Sequence, residues 1–236
     1  MQNPIIEWRS LNQQSQPQPY SIIFDDVYYS SDNGLLETDY VFLQGNHLRQ
    51  RWQALSSNSF TIIETGFGTG LNFLCASQVW LQIAPKNATL HFISTEKYPL
   101  NFQEISTALQ AWPELNEVYQ PFLAQYKALS LSAQLFNNRV QLSLLIGDAT
   151  ASITNLDTTA DAWFLDGFSP AKNPDMWQPA LFTQMARLST NNTTFATFTS
   201  AGMVKLGLQA AGFRVSKQAG FGKKREMLTG SFMGVL

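Results

Sequence analysis

A single cysteine, Cys75, and two histidines, His47 and His91, are all the thiol and imidazole chemistry in 236 residues. One thiol cannot form an intramolecular disulfide, and the set is too sparse for a Cys-rich zinc site, so a reducing compartment is expected. Cys75 reads as a small buried hydrophobe and the isolated histidines as structural, with no metal. Charge is scarce too: Asp, Glu, Lys and Arg make up 14% of the chain, against about 25% in an average globular protein. Polarity comes instead from 20 glutamines and 15 asparagines, a mixture that disfavours a thermophile. No run of about 18 apolar residues occurs, and no basic stretch followed by an apolar one opens the chain. Neither a membrane span nor a secretory signal is expected, and the default location is cytoplasmic.

What is present suffices for one core. With 44% hydrophobic residues, a chain of this length folds as one compact domain with elaborations. We expect an N-terminal β extension or lid over residues 1–58 and one α/β unit over residues 59–236. The net charge of −2 argues against life on nucleic acid, yet it hides an asymmetry. From Gly202 onward the chain carries +5, and residues 1–201 carry −7. Lys205, Lys223, Lys224 and Arg225 belong to the basic end, which is either a solvated face or a phosphate-binding one.

Residues 12–19 carry two prolines and no apolar face, so they read as a loop between extended pieces near Ile5–Trp8 and Tyr20–Phe24. From Phe60 the pattern alternates. Strands are expected at Phe60–Glu64, Leu90–Thr95, Val140–Ile146, Ala162–Asp166, Thr194–Phe198, Phe213–Lys217 and Met227–Phe232. Helices are expected near Leu71–Ile83, Leu100–Ala111, Phe122–Leu135, Pro179–Leu188 and Ala201–Ala211. Such alternation calls for a mostly parallel seven-stranded sheet with helices on both faces, and a ligand beyond the carboxyl ends of its strands.

The first of these strands runs into Glu64-Thr65-Gly66-Phe67-Gly68-Thr69-Gly70 and then a helix. Glycines there let backbone approach a ligand at a helix N-terminus. A dinucleotide fingerprint fails because Leu71 follows Gly70, and no Lys-Ser/Thr pair follows to make a phosphate loop. An acid two residues before Gly-x-Gly-x-Gly resembles the Rossmann-like class I S-adenosylmethionine-dependent methyltransferases. Two further strand-end acids extend the likeness. Glu96 is either a cap or turn former or a carboxylate placed to accept ribose hydroxyls. Asp148 in Ile146-Gly147-Asp148-Ala149 is either a helix cap or the residue that holds the adenine amino group.

The fourth strand ends in Phe164-Leu165-Asp166-Gly167-Phe168-Ser169-Pro170, followed by Ala171-Lys172-Asn173-Pro174-Asp175-Met176-Trp177. With FDDVYYSSDNGLLETDYVFLQGN, ETGFGTGLNFL, HFISTEKYPL, ATFTSAG and GFGKKREML in order, this block resembles the methyltransferase half of the bacterial MnmC family. That family makes 5-methylaminomethyl-2-thiouridine at the tRNA wobble position. The likeness runs from Phe24 to Leu228. It departs at Ser189-Thr190-Asn191-Asn192-Thr193, a turn without the Pro-Gly-Gly usual there, in which asparagine can serve.

The resemblance implies a class I fold, S-adenosylmethionine as cofactor, and methylation of a primary amine. It implies cofactor binding by Glu64, Gly66, Phe67, Gly68, Thr69, Gly70, Asn72, Glu96, Lys97, Asp148, Ala149 and Tyr28. Asp166 is the implied catalytic residue, orienting the amine and taking its proton. Gly167, Phe168, Pro170, Lys172, Asn173 and Trp177 would receive the flipped-out uridine, although Phe168 and Trp177 read equally as core packing. Tyr28 and Tyr29, with the Gly45-Asn46 turn, would form the lid or else a surface hairpin. Lys205, Lys223, Lys224 and Arg225 would meet phosphates of the anticodon stem-loop. Family members continue into an FAD-dependent oxidoreductase, so such a domain is an expected partner in cis or in trans for what is otherwise a monomer. Two competing readings are a small-molecule amine N-methyltransferase and a cofactor-binding module serving a separate oxidoreductase.

Overall fold

The computed structural model describes residues 4–10, 17–30, 33–126 and 132–234. At its centre is an eight-stranded sheet built from β4 (Ser59–Thr65), β5 (Thr89–Glu96), β6 (Ser132–Leu135), β7 (Val140–Ile146), β8 (Ala160–Leu165), β9 (Ser189–Thr197), β10 (Phe213–Ala219) and β11 (Glu226–Phe232). The order is β10-β11-β9-β8-β4-β5-β7-β6. β7, β5, β4, β8 and β9 run parallel, while β11 pairs antiparallel with both β9 and β10. β4 is buried from Phe60 to Thr65, as a strand covered on both faces must be.

The pleat sorts the core into two halves. Ile62, Phe164, Ala196 and Met227 face one apolar cluster, and their neighbours Ile63, Trp163, Phe195 and Leu228 face the other. The first cluster is covered by α2 (Leu48–Gln53), α3 (Leu71–Ile83), α4 (Phe102–Leu109) and α5 (Asn116–Tyr126). The second is covered by α6 (Ala149–Thr154), α7 (Pro179–Arg187) and α8 (Gly202–Ala210). Sequence order reverses on either side of β4, which is followed by β5 on one flank and β8 on the other. A cleft opens there.

Four differences from expectation have physical causes. The expected helix Phe122–Leu135 begins at Asn116, with Pro121 inside it, and ends at Tyr126; residues 127–131 lie outside the described residues. Its last part is instead β6, an eighth strand paired with β7 across Phe136-Asn137-Asn138, all at positive φ. Asparagine tolerates that conformation, so the two asparagines favour a turn there. The expected turn at Ser189–Thr193 belongs to a longer β9, and the slack is taken up by a register shift opposite Ala160 and Ala162.

The N-terminal stretch is β only at its start. β1 (Ile6–Arg9), β2 (Gln18–Ser21) and β3 (Asp26–Val27) make a small antiparallel sheet; of the loop expected at 12–19, residues 12–16 lie outside the described residues. After it come α1 (Gly34–Thr38), a π-helical turn at Asp39–Gln44, and α2. The Gly45-Asn46 turn is therefore not part of a lid. Asn46 is fully buried: its amide donates to Phe42 O and Trp163 O, and its oxygen accepts from Thr194 Oγ1 at 2.6 Å. Hydrogen bonding thus fastens this turn to β8 and β9 beside the apolar packing of Phe42 on Phe164.

Candidate active site

The cleft holds about 350 Å³, within the roughly 300–1,000 Å³ usual for small-molecule sites. Its floor is the carboxyl ends of β4, β5, β7 and β8. Gly66, at φ +80°, turns the chain where a Cβ would come within 2.9 Å of Gly167 Cα, so the loops after β4 and β8 touch through two glycines. Gly66 and Phe67 both donate to Thr95 O at 2.9 Å, which locks the loop onto β5. Gly70, also at positive φ, starts α3 and does not line the cleft.

Three acids reach this region in different ways. Glu96 lines the cleft, and its two carboxylate oxygens accept from Gly68 N at 2.9 Å and Tyr98 N at 2.8 Å. Burial raises its pKa against those backbone bonds. One lone pair on each oxygen stays free for a ligand diol. Asp148 lines the cleft and also caps α6 through Ala151 N, so capping the helix does not withdraw it from the cleft. Glu64 does not line the cleft and is fully buried. It accepts from Ser94 Oγ at 2.6 Å and from Asn72 Nδ2 at 2.9 Å. Burial holds its pKa well above the usual carboxylate range, and the negative charges of Asp166 and Glu96 add to that rise.

Asn72 joins the floor to the wall. Its amide nitrogen also donates to Asp166 Oδ2 at 2.6 Å, and its oxygen accepts from Thr38 Oγ1 at 2.8 Å. Asp166 Oδ1 accepts from Gly167 N at 2.8 Å. Burial pushes Asp166 up to about 6, with the Gly167 and Asn72 bonds opposing the rise. One carboxylate thus lines the cleft, poised near neutrality, and shares an asparagine with a second carboxylate sealed beneath it.

The opposite wall comes from the N-terminal strap. Phe24 stacks on Phe168 at 4.6 Å, and Tyr28 meets Phe168 edge-on at 5.2 Å. Burial raises the Tyr28 phenol pKa strongly. Asp26 accepts from Ser169 N, and Asp25 pairs with Lys172. One face of Phe168 is therefore already occupied by protein. Trp177 is fully buried and donates to Phe168 O at 3.0 Å, bracing the loop from below. Pro170 and Lys172 do not line the cleft, whereas Asn173, Lys97, Ala149, Thr69 and Tyr29 do. Lys224 lines it too, paired with Glu37, while Lys205, Lys223 and Arg225 do not. Phe24, Glu37, Thr38, Ser94 and Phe198 fall inside the strings that carry the family resemblance, but no spacing or chemistry of their own marks them there as part of this site. Among the described residues no group of three His, Cys, Asp or Glu could hold a metal, and no helix is long and apolar enough to cross a membrane.

A family model described as S-adenosyl-L-methionine-dependent methyltransferase matches residues 113–233, just over half of the chain. The chain belongs to this family. As a methyltransferase it takes S-adenosylmethionine, and the cleft fits that group: a glycine turn for close backbone approach, Glu96 for a ribose diol, and Asp148 at the rim.

Relatives in this fold are close. A protein of Methylobacillus flagellatus named tRNA 5-methylaminomethyl-2-thiouridine biosynthesis bifunctional protein MnmC is 54% identical over 96% of this chain and 35% of its own length. A Chromobacterium violaceum protein of the same name is 54% identical over 90% of this chain and 33% of its own. The chain thus spans about a third of the curated relatives it matches. A crystal structure from Aquifex aeolicus titled MNMC2 superposes with a TM-score of 0.79 at 21% identity, covering 99% of this chain and 72% of that one. That likeness shows the shared fold.

Proposed function

We propose that this methyltransferase converts 5-aminomethyl-2-thiouridine to 5-methylaminomethyl-2-thiouridine at the wobble position of tRNA. The observation that carries the reading is Asp166 at the cleft wall, in a chain 54% identical over 96% of its length to a protein of that biosynthetic name. S-adenosylmethionine supplies a methyl group on a sulfonium, open to attack by an amine. The primary amine of the substrate titrates near a lysine, so freeing it at pH 7 costs about 4 kcal/mol through roughly three pKa units. Asp166 addresses that cost by position: held at both oxygens and mostly ionised at pH 7, it orients the ammonium and accepts its proton. Glu96 and Asp148 bind the nucleoside of the cofactor, with Tyr28 across the cleft.

Gly167, Phe168 and Asn173 form the base-binding wall, with Phe168 held in place by Phe24 and Tyr28. Lys205, Lys223 and Arg225 meet stem phosphates, with a steep salt dependence. The bifunctional relatives, of which this chain matches only a third, support an FAD-dependent oxidoreductase partner in cis or in trans. The reading puts the enzyme in the cytoplasm with its tRNA. The test supplies the chain with S-adenosylmethionine and tRNA from cells lacking the modification, then weighs the digested nucleosides. A peak one methyl group heavier than aminomethyl-thiouridine is the expected result. Cofactor binding without any such peak contradicts the reading.

A further inference from the structure

Beside Asp166 the cleft wall carries a second acid that the mechanism above does not use. Glu37 lies in α1, and its carboxylate is only 13% exposed. Its partner is Lys224, from the turn joining β10 to β11, whose Nζ lies 2.8 Å from Glu37 Oε1. The same Nζ stands 4.2 Å from the centre of the Phe198 ring. Glu37, Phe198, Lys224 and Asp166 all line the cleft.

A carboxylate and an aromatic face around one primary ammonium form a donor set suited to any alkylammonium. The ammonium now in it belongs to a flexible side chain that is 44% exposed, so it can leave toward solvent. An aminomethyl group presents the same –CH2–NH3+ end as a lysine. We propose that Glu37 and Phe198 form the recognition site for the substrate's primary ammonium, and that Lys224 fills this site in the free protein as an internal stand-in. The inference rests on the amine-methylating reading above and concerns binding, before any bond changes.

Exchange of one ammonium for another keeps the site's charge constant. Glu37 is never left buried and unpaired, which would be expensive. A neutral group of the same size cannot displace Lys224 on these terms, so the exchange itself selects for a cation. Asp166 lies within electrostatic reach, since the charge of Glu37 raises its pKa and that of Lys224 lowers it. Arrival of the substrate therefore delivers an ammonium to the neighbourhood of the group that takes its proton.

S-adenosylmethionine also carries a primary ammonium, so the test separates the two sources. Binding is measured for two anticodon stem-loop RNAs, one with 5-aminomethyluridine and one with the neutral 5-hydroxymethyluridine, in the presence of S-adenosylhomocysteine. Phosphate contacts cancel in the ratio of the two affinities. The wild type is expected to prefer the aminomethyl RNA at least ~10-fold, Glu37→Gln to lose most of that preference, and Lys224→Met to increase it severalfold. Cofactor affinity, measured separately, is expected to stay unchanged in both variants. A Glu37→Gln protein that keeps its preference overturns the proposal, as does one that keeps it while losing cofactor affinity, which would assign Glu37 to the cofactor. If Glu37→Gln does not fold, or loses both, Lys224→Met decides: a larger preference supports the proposal and an unchanged one overturns it. A wild type that methylates aminomethyl RNA but binds both RNAs equally overturns this inference alone. A wild type that neither prefers nor methylates it overturns the amine reading with it.

Discussion

Glu64 and Asp166 stand at the ends of two adjacent parallel strands and receive hydrogen bonds from the same amide nitrogen, that of Asn72. Their surroundings make them different groups. Glu64 is sealed on both oxygens by Ser94 and Asn72 and touches nothing outside the protein. Asp166 has the same asparagine on one side and its neighbour's N–H on the other, and lines the cleft. Burial raises both pKa values, but only Asp166 ends near neutrality at the cleft, where a proton can be exchanged. Of two carboxylates on one amide, one organises the floor and the other faces the cleft.

The comparison breaks most completely at Asn72. Asn72→Ala removes a donor from both carboxylates and the acceptor of Thr38, so we expect a loss of about 2–4 kcal/mol in denaturant unfolding, with reduced turnover. Asp166→Asn should change how stability depends on pH. A carboxyl whose folded pKa is raised from 3.8 to about 6 favours the native state while protonated. That contribution is complete below about pH 4 and lost as pH rises through 6. The asparagine variant carries no such titration and should therefore lack the wild type's loss of about 1–3 kcal/mol between pH 4 and pH 8, a difference visible as the pH slope of thermal unfolding. Trp177→Phe removes the bond that braces Phe168 O, and about 1 kcal/mol of stability is expected to go with it. Lys172→Ala gives the smallest change: its pair with Asp25 is exposed on both sides, so a barely measurable shift in the unfolding midpoint is expected, most of it gone at high salt.

The sheet and the strand ends that floor the cleft were legible in the sequence because each βαβ unit is local. The apolar run, the glycine turn and the helix over Leu71–Ile83 follow one another directly, and the acids Glu96 and Asp148 fall at the ends of neighbouring strands. The other wall was not legible, since its contacts join distant segments: Lys224 to Glu37, Phe24 to Phe168, Thr38 to Asn72. No periodicity encodes such pairs. The same holds for Asn46, a turn residue by composition that proves to be a buried anchor for β8 and β9. Glu64 was legible as a strand-end acid, but its burial beneath the cleft depends on Ser94 and Asn72 arriving from other elements.

The most direct measurement compares turnover and cofactor binding in Asp166→Asn and wild type between pH 5 and 9, with 5-aminomethyl-2-thiouridine tRNA as substrate. The account predicts that the variant binds S-adenosylmethionine normally, loses at least ~100-fold in kcat, and lacks the rise in rate near pH 6 that Asp166 gives the wild type. A variant that turns over at the wild-type rate with the same pH profile would contradict it.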